Sequence, residues 1–272
     1  MFIQNSITSI AIGSFDGLHI AHQYLISQVE AIIVIERNSG YLTPGYKRSL
    51  YTNKPIFIYH FDTIKSLTPK EFVDKLQKDF PKLQTIVVGY DFAFGKNKSG
   101  DSQTLKELFD GEVKIVDEIM LDGISVHSRV IKEYLKQGDI STVNKLLGRE
   151  YLIDGDIIQG QGLGSKELVA TLNLKVQNYQ LPKEGVYASY TIIDNHHYNS
   201  VSFIGHRVTT DGSFAVETHL LDTTLPHPPI SAKIEFVNFI RDNMKFNSLQ
   251  ELKAQIEIDI DTTKKVLSHA KR

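Results

Sequence analysis

Apolar and polar residues alternate along this chain in two rhythms. Residues 7–12 form a short apolar run ending at Gly13, and residues 19–32 carry apolar side chains at helical spacing, so the opening predicts a strand, a glycine turn and a helix. Further buried strands are predicted at 32–36, 56–61 and 84–90. Residues 68–80 predict a helix that Thr68 caps, with Pro69 at its first position and Glu71 completing a capping box. Strands that alternate with helices imply a parallel sheet. The pattern continues through a helical stretch at 128–138 and a short helix capped by Asp139 and closed by Gly148.

Beyond residue 148 the rhythm changes. Strand-like segments at 155–159, 185–193, 198–205, 214–222 and 232–240 follow one another across glycine and polar turns, as in an antiparallel barrel or sandwich. The last segment opens with a second capping box, Ser248 to Glu251, and predicts one terminal helix packed on that barrel. The expected organisation is an α/β domain at 1–148 with a parallel, Rossmann-like sheet, followed by a β-barrel domain at 149–272.

Composition narrows the function classes. The 30 basic and 32 acidic side chains nearly cancel, leaving a net charge of −2, so no general polyanion or nucleic-acid binder is expected. Cysteine is absent, which removes disulfides, thiolate nucleophiles and thiolate-bound metals. No run of about 18 apolar residues and no leader-like N-terminus is visible, so a non-membrane, cytoplasmic protein is expected.

Two segments carry chemistry. The string GSFDGLHIAH (13–22) lies where the first strand meets the first helix, and ligands of parallel sheets bind at the carboxyl ends of strands. Gly13 and Gly17 permit a tight turn, the helix start offers N–H groups to phosphate, and His19 and His22 share a helix face. The second segment, GDIIQGQGLGSKELVATLNL (155–174), concentrates glycines at 155, 160, 162 and 164. Alone it reads as a flexible loop between strands. In 214–222, period-2 alternation puts Val216, Thr218 and Leu220 on one face and Glu217 and His219 on the other. His196, His197 and His227 have no metal-ligand spacing and read as exposed turn residues.

The first string resembles the GxFDGxHxGH signature of nucleotidylyltransferases in bacterial bifunctional riboflavin kinase/FAD synthetases, and VVGYDFAFGKNKSGD (87–101) resembles that family's VGxDFxFGxxxxG segment. Residues 126–132 align with its ISSTxIR motif, keeping Ser128, with Arg129 at the threonine and Lys132 at the arginine. Ala21 replaces a glycine, and residues 36–48 stand where the family has a proline-histidine-proline segment. Residues 155–174 resemble the riboflavin kinase segment GxVxxGxGxGxxLGFPTAN, matching at Gly160, Gly162, Thr171 and Asn173, with Val169 and Ala170 in place of phenylalanine and proline. FIGHRVT (203–209) resembles IGxRPT, and FAVETHLLD contains the family's VExHLLD.

The resemblance implies phosphorylation of riboflavin to FMN by ATP and adenylylation of FMN to FAD. It assigns His19, His22 and Glu217 to catalysis, the glutamate as base toward the ribityl hydroxyl. Gly13, Ser14, Phe15, Ser128, Arg129, Lys132, Gly160, Gly162, Thr171 and Asn173 would bind nucleotide, with Thr171 and Asn173 also holding Mg²⁺. Asp91, Phe92, Phe94 and Arg207 would meet the flavin. Retention of one activity alone, or flavin and nucleotide binding without catalysis, are the alternatives. Small-molecule substrates are the expected partners.

Overall fold

A computed structural model describes residues 3–37, 41–159, 169–209 and 211–270. The chain divides into two compact units, residues 1–128 and 129–272.

In the first unit, β1 (Ser9–Gly13), β2 (Ala31–Glu36), β3 (Ile56–His60), β4 (Thr85–Gly89) and β5 (Glu112–Val116) form a parallel sheet in the order β3-β2-β1-β4-β5. Ile10, Ala11 and Ile12 are all buried. A strand covered on both faces has no polar side to alternate, which explains its continuous apolar run. Helices α1 (Ile20–Ser27), α2 (Pro69–Asp79) and α3 (Ser102–Leu108) connect the strands. Helix α1 stops five residues short of the expected end because the chain must turn to begin β2 at Ala31. The capping box of α2 forms as expected: Glu71 N–H donates to Thr68 Oγ1 and Thr68 N–H donates to Glu71 Oε2. Strand β5 and helix α3 are additions to the sequence reading. The pattern of β5 is weak because none of its residues is fully buried.

Helices α4 (Ser128–Gln137) and α5 (Ile140–Leu147) lead into the second unit. The compact division falls about twenty residues before the change of rhythm at 148, for a physical reason: Asn144 Nδ2 donates to the Phe236 carbonyl, and Lys183 N–H donates to the Leu135 carbonyl. Asp139 caps α5 by accepting from Thr142 N–H, and Gly148 ends it in the left-handed region at φ 72°.

The second unit is a closed antiparallel barrel of β6 (Tyr151–Ile158), β7 (Leu172–Val176), β8 (Gly185–Ile193), β9 (His196–His206), β10 (Phe214–Leu220) and β11 (Ser231–Asp242), in the order β6-β7-β10-β9-β8-β11. Strand β7 lies within the segment that composition alone reads as loop. Helix α6 (Leu249–His269) packs on the barrel through Leu267 against Ala188 and Tyr190. Arg241 on β11 forks onto the buried Asp259 of α6 at 2.9 and 2.7 Å. Ser248 caps α6, but Glu251 reaches back to Asn247 N–H instead of Ser248 N–H, so the expected capping box is shifted by one residue.

The opposite face of β8 looks into the barrel. There Tyr187 packs on Phe236, and Ser189, Thr191, Ser200, Ser202 and Thr218 are all buried in a hydroxyl cluster. Its oxygens meet in sequence: Ser202 to Thr218 at 2.9 Å, Thr218 to Thr191 at 2.7 Å, Thr191 to Ser200 at 2.9 Å, Ser200 to Ser189 at 2.8 Å and Ser189 to Ser202 at 2.7 Å. Buried hydroxyls need partners, and this ring supplies them.

Candidate active sites

In the parallel sheet the strand order reverses at β1, whose neighbours are β2 and β4. The carboxyl ends of β1 and β4 therefore flank a switch point, where such sheets take ligands. The turn 13–19 leaves β1 there with Phe15, Gly17 and Leu18 at φ 45°, 86° and 39°. His19 caps α1: its Nδ1 accepts the His22 N–H at 3.3 Å, which puts the ring proton on Nε2. The two imidazoles stack with centroids 3.6 Å apart and planes 17° off parallel, while Phe15 meets His22 edge-on at 5.1 Å. The structure thus brings the two imidazoles together. Ser14 is exposed beside them, and Gly13 ends β1.

From the end of β4, Asp91 meets His127 Nε2 at 3.0 Å. That hydrogen bond, opposed by partial burial and aided by the charges of His127 and His19, holds the Asp91 carboxyl below its ordinary range. Phe92 is half-buried and stacks on Phe94 at 5.4 Å, but Phe94 is only 5% exposed and belongs to the hydrophobic core with Phe72. Ser128 Oγ donates to the Asp16 carbonyl at 2.7 Å, so its hydroxyl braces the turn. Arg129 and Lys132 fall in the second compact unit. Sequence reasoning passed over Asp16, Arg48 and His127. A cavity of about 680 Å³ in this unit is lined by Gln23, Ile26, Leu50 and Tyr51, and by none of the candidate residues.

The barrel site is built by strand register. Asn173 on β7 pairs with Glu217 on β10, which pairs with Phe203 on β9, so the three form a row across the sheet. Just beyond β9, Arg207 reaches into that row. Its Nε and NH2 both donate to Glu217 Oε1, at 2.9 and 2.5 Å, and NH2 also donates to Asn173 Oδ1 at 2.6 Å. Its NH1 donates to Ser213 Oγ at 2.8 Å. Arg207 and Glu217 are about one-fifth exposed, enough for a ligand to reach them yet shielded enough for the pair to be firm. Thr171 lies half-buried two residues before Asn173. His219, on the Glu217 side of β10, donates from Nδ1 to the Ala170 carbonyl at 2.7 Å and fixes the approach to β7. Gly160, Gly162 and Gly164 lie outside the described residues. His196 and His197 are exposed beside the Asp194-Asn195 turn, in keeping with the plain reading given to them.

Comparison with known proteins adds two matches. The riboflavin kinase family model matches residues 147–267, and the FAD synthetase family model matches residues 51–130. The bifunctional riboflavin kinase/FMN adenylyltransferase of Listeria monocytogenes is 28% identical over 94% of this chain and 91% of its own. Its namesake from Bacillus subtilis is 28% identical over 92% of this chain and 89% of its own. A crystal structure titled as a macrolide-efflux protein from Streptococcus pneumoniae has the same fold, with a TM-score of 0.83, 25% identity and 96% of both chains covered. Among the described residues of this chain, no helix is long and apolar enough to cross a membrane. With one family model on the sheet unit, the other on the barrel and relatives aligned through both, this chain belongs to the family of bifunctional riboflavin kinase/FMN adenylyltransferases.

Proposed function

We propose that the chain converts riboflavin to FAD in two steps, phosphorylation in the segment 149–272 and adenylyl transfer in the segment 1–148. The observation that supports this reading is that each unit has its own rigid polar cluster: stacked His19 and His22 at the switch point, and Arg207 joining Glu217 to Asn173 on the barrel.

In the barrel, Glu217 takes the proton of the riboflavin 5′-hydroxyl as that oxygen bonds to the γ-phosphorus of ATP and the bond to the ADP oxygen breaks. Both arginine bonds go to Oε1, so Oε2 is the oxygen for the base. Thr171 and Asn173 offer neutral oxygens beside the Glu217 carboxylate, whose charge the Arg207 guanidinium balances from the Oε1 side. Such a hard oxygen set fits Mg²⁺, which when bound neutralises charge on the nucleotide phosphates. Gly160 and Gly162 would complete the nucleotide contacts.

In the sheet unit, the FMN phosphate oxygen attacks the α-phosphorus of ATP and pyrophosphate leaves. His19 and His22 stabilise the charge that develops there. Gly13, Ser14 and Phe15 present turn backbone to the phosphates. Asp91 and Phe92 border the flavin, Phe92 being the more accessible of the two rings. Arg207 meets the flavin through the guanidinium edge that Glu217 does not use. We place the enzyme in the cytoplasm with its ATP. Incubation of the full chain with riboflavin, ATP and Mg²⁺, with riboflavin, FMN and FAD separated over time, tests the reading. FMN must rise first and FAD follow. FAD formation only from supplied FMN reduces the function to one activity, and no flavin conversion at all overturns it.

A further inference from the structure

The turn that carries the histidine pair is held in a shape that its own residues disfavour. Phe15 and Leu18 occupy the left-handed region at φ 45° and 39°, where L side chains are strained, yet both side chains are fully buried. Such a conformation persists only if its surroundings over-determine it. Here the anchors come from remote segments of the chain. Asp16 Oδ1 accepts the N–H groups of Leu42 and Thr43 at 2.8 and 3.1 Å, and the Phe15 carbonyl accepts Arg48 Nε at 3.2 Å.

Arg48 is itself immobile. It is 0% exposed, its NH1 donates to Glu36 at 2.6 Å and to the Gly45 carbonyl at 3.0 Å, and its guanidinium lies 5.1 Å over the Tyr41 ring. Among the described residues its buried NH2 finds no hydrogen-bond partner. Burying part of a cation unpaired disfavours folding, so this arginine does more than stabilise. Leu42, Thr43 and Arg48 all lie in the segment that replaces the family's proline-histidine-proline stretch.

Resting on the adenylyl-transfer reading above, we propose that Asp16 and Arg48 are positioning residues for that step. They clamp the strained turn so that His19, His22 and the turn's N–H groups meet the phosphates where charge develops. Because the Glu36 carboxylate balances its charge, Arg48 acts on the turn through the geometry of its hydrogen bonds. Lysine keeps the charge but lacks the planar fork that grips Phe15, Glu36 and Gly45 together.

The test uses the full chain with Arg48→Lys, Arg48→Met, Asp16→Ala and Ser128→Ala. Steady-state FAD formation from FMN is compared with FMN formation from riboflavin and with thermal unfolding. A misaligned reacting group costs mostly in the transition state, so kcat for FAD should fall about 10- to 100-fold in Arg48→Lys and Asp16→Ala. KM for ATP should move by no more than about threefold, because ground-state binding is little affected. FMN formation on the barrel should stay at the parent rate. Should Arg48→Met fail to fold, Arg48→Lys and Ser128→Ala, which keep the charge or remove a single anchor, carry the same test. Parental kcat for FAD in folded Arg48→Lys and Asp16→Ala overturns the proposal, as does a loss that only tracks the unfolded fraction. A parent that makes no FAD from FMN overturns the adenylyl-transfer reading and this proposal together.

Discussion

The two candidate sites reach rigidity by opposite routes. At the switch point the chemistry sits on ten consecutive residues of one turn and one helix start, and the anchors that fix them come from residues 26 and 33 positions away along the chain. On the barrel the reacting side chains are themselves remote in sequence, on β7, on β10 and beyond β9, and the sheet register alone brings them into a row. The first site is therefore local chemistry on a long-range support, and the second is long-range chemistry on a local support. A substitution in the turn should damage one reaction through geometry, whereas one on the barrel should act through the charge it removes.

The sharpest way to break this contrast is Glu217→Gln. It preserves size and strand pairing but removes proton acceptance, so FMN formation should drop by about 10² to 10⁴ while FAD formation from supplied FMN is unchanged. Equal loss of both rates would mean that the units are not chemically independent. Next in size, His22→Ala removes a donor together with the ring stacked on His19, and FAD formation should slow roughly 10²-fold with the riboflavin kinase rate intact. A parental FAD rate would remove the histidine pair from the reaction.

These motifs were legible because they are contiguous. A glycine turn before a helix, two histidines three apart and an alternating VETHL strand can each be read in a window of a few residues, and the parallel sheet and barrel follow from the two hydrophobic rhythms. What the sequence hid has no local signal. Asp16 acts on backbone N–H groups of Leu42 and Thr43, which every residue type possesses, and Arg48 acts on a backbone carbonyl. Arg207 was visible as a motif residue, but its grip on Glu217 and Asn173 depends on strand register that no single segment contains. Phe94 looked like a partner for an aromatic ligand because composition does not distinguish a buried ring from an accessible one. Strand β7 was obscured by the glycines before it.

Smaller effects sharpen the contrast through stability. Ser202→Val opens the hydroxyl ring inside the barrel and leaves Ser189 and Thr218 short of one partner each, so unfolding in urea should become easier by about 1–3 kcal/mol, with FAD formation unaffected. No change in the urea midpoint would show that the ring closes around the gap. The smallest effect belongs to Asp91→Asn, since the Asp91 and His127 pair is half-exposed. Because His127 holds the Asp91 carboxyl below its ordinary value, its contribution is fully present above the unfolded carboxylate pKa and is lost as pH falls through the folded one. Parent and variant should therefore differ by less than about 1 kcal/mol at neutral pH and converge in acid. A gap that persists in acid would assign the effect to packing instead.

The five hydroxyls at the centre of the barrel can also be followed by direction. Thr191 donates to Ser200 and Ser202 donates to Thr218, and both arrows point the same way around the circuit. The Ser189 and Ser200 hydroxyls also lie 3.1 Å from each other's backbone carbonyls, so each has an acceptor outside the circuit as well as within it. Thr218 adjoins Glu217 in sequence but faces the other side of β10, so this polar interior and the candidate base lie on opposite faces of one strand.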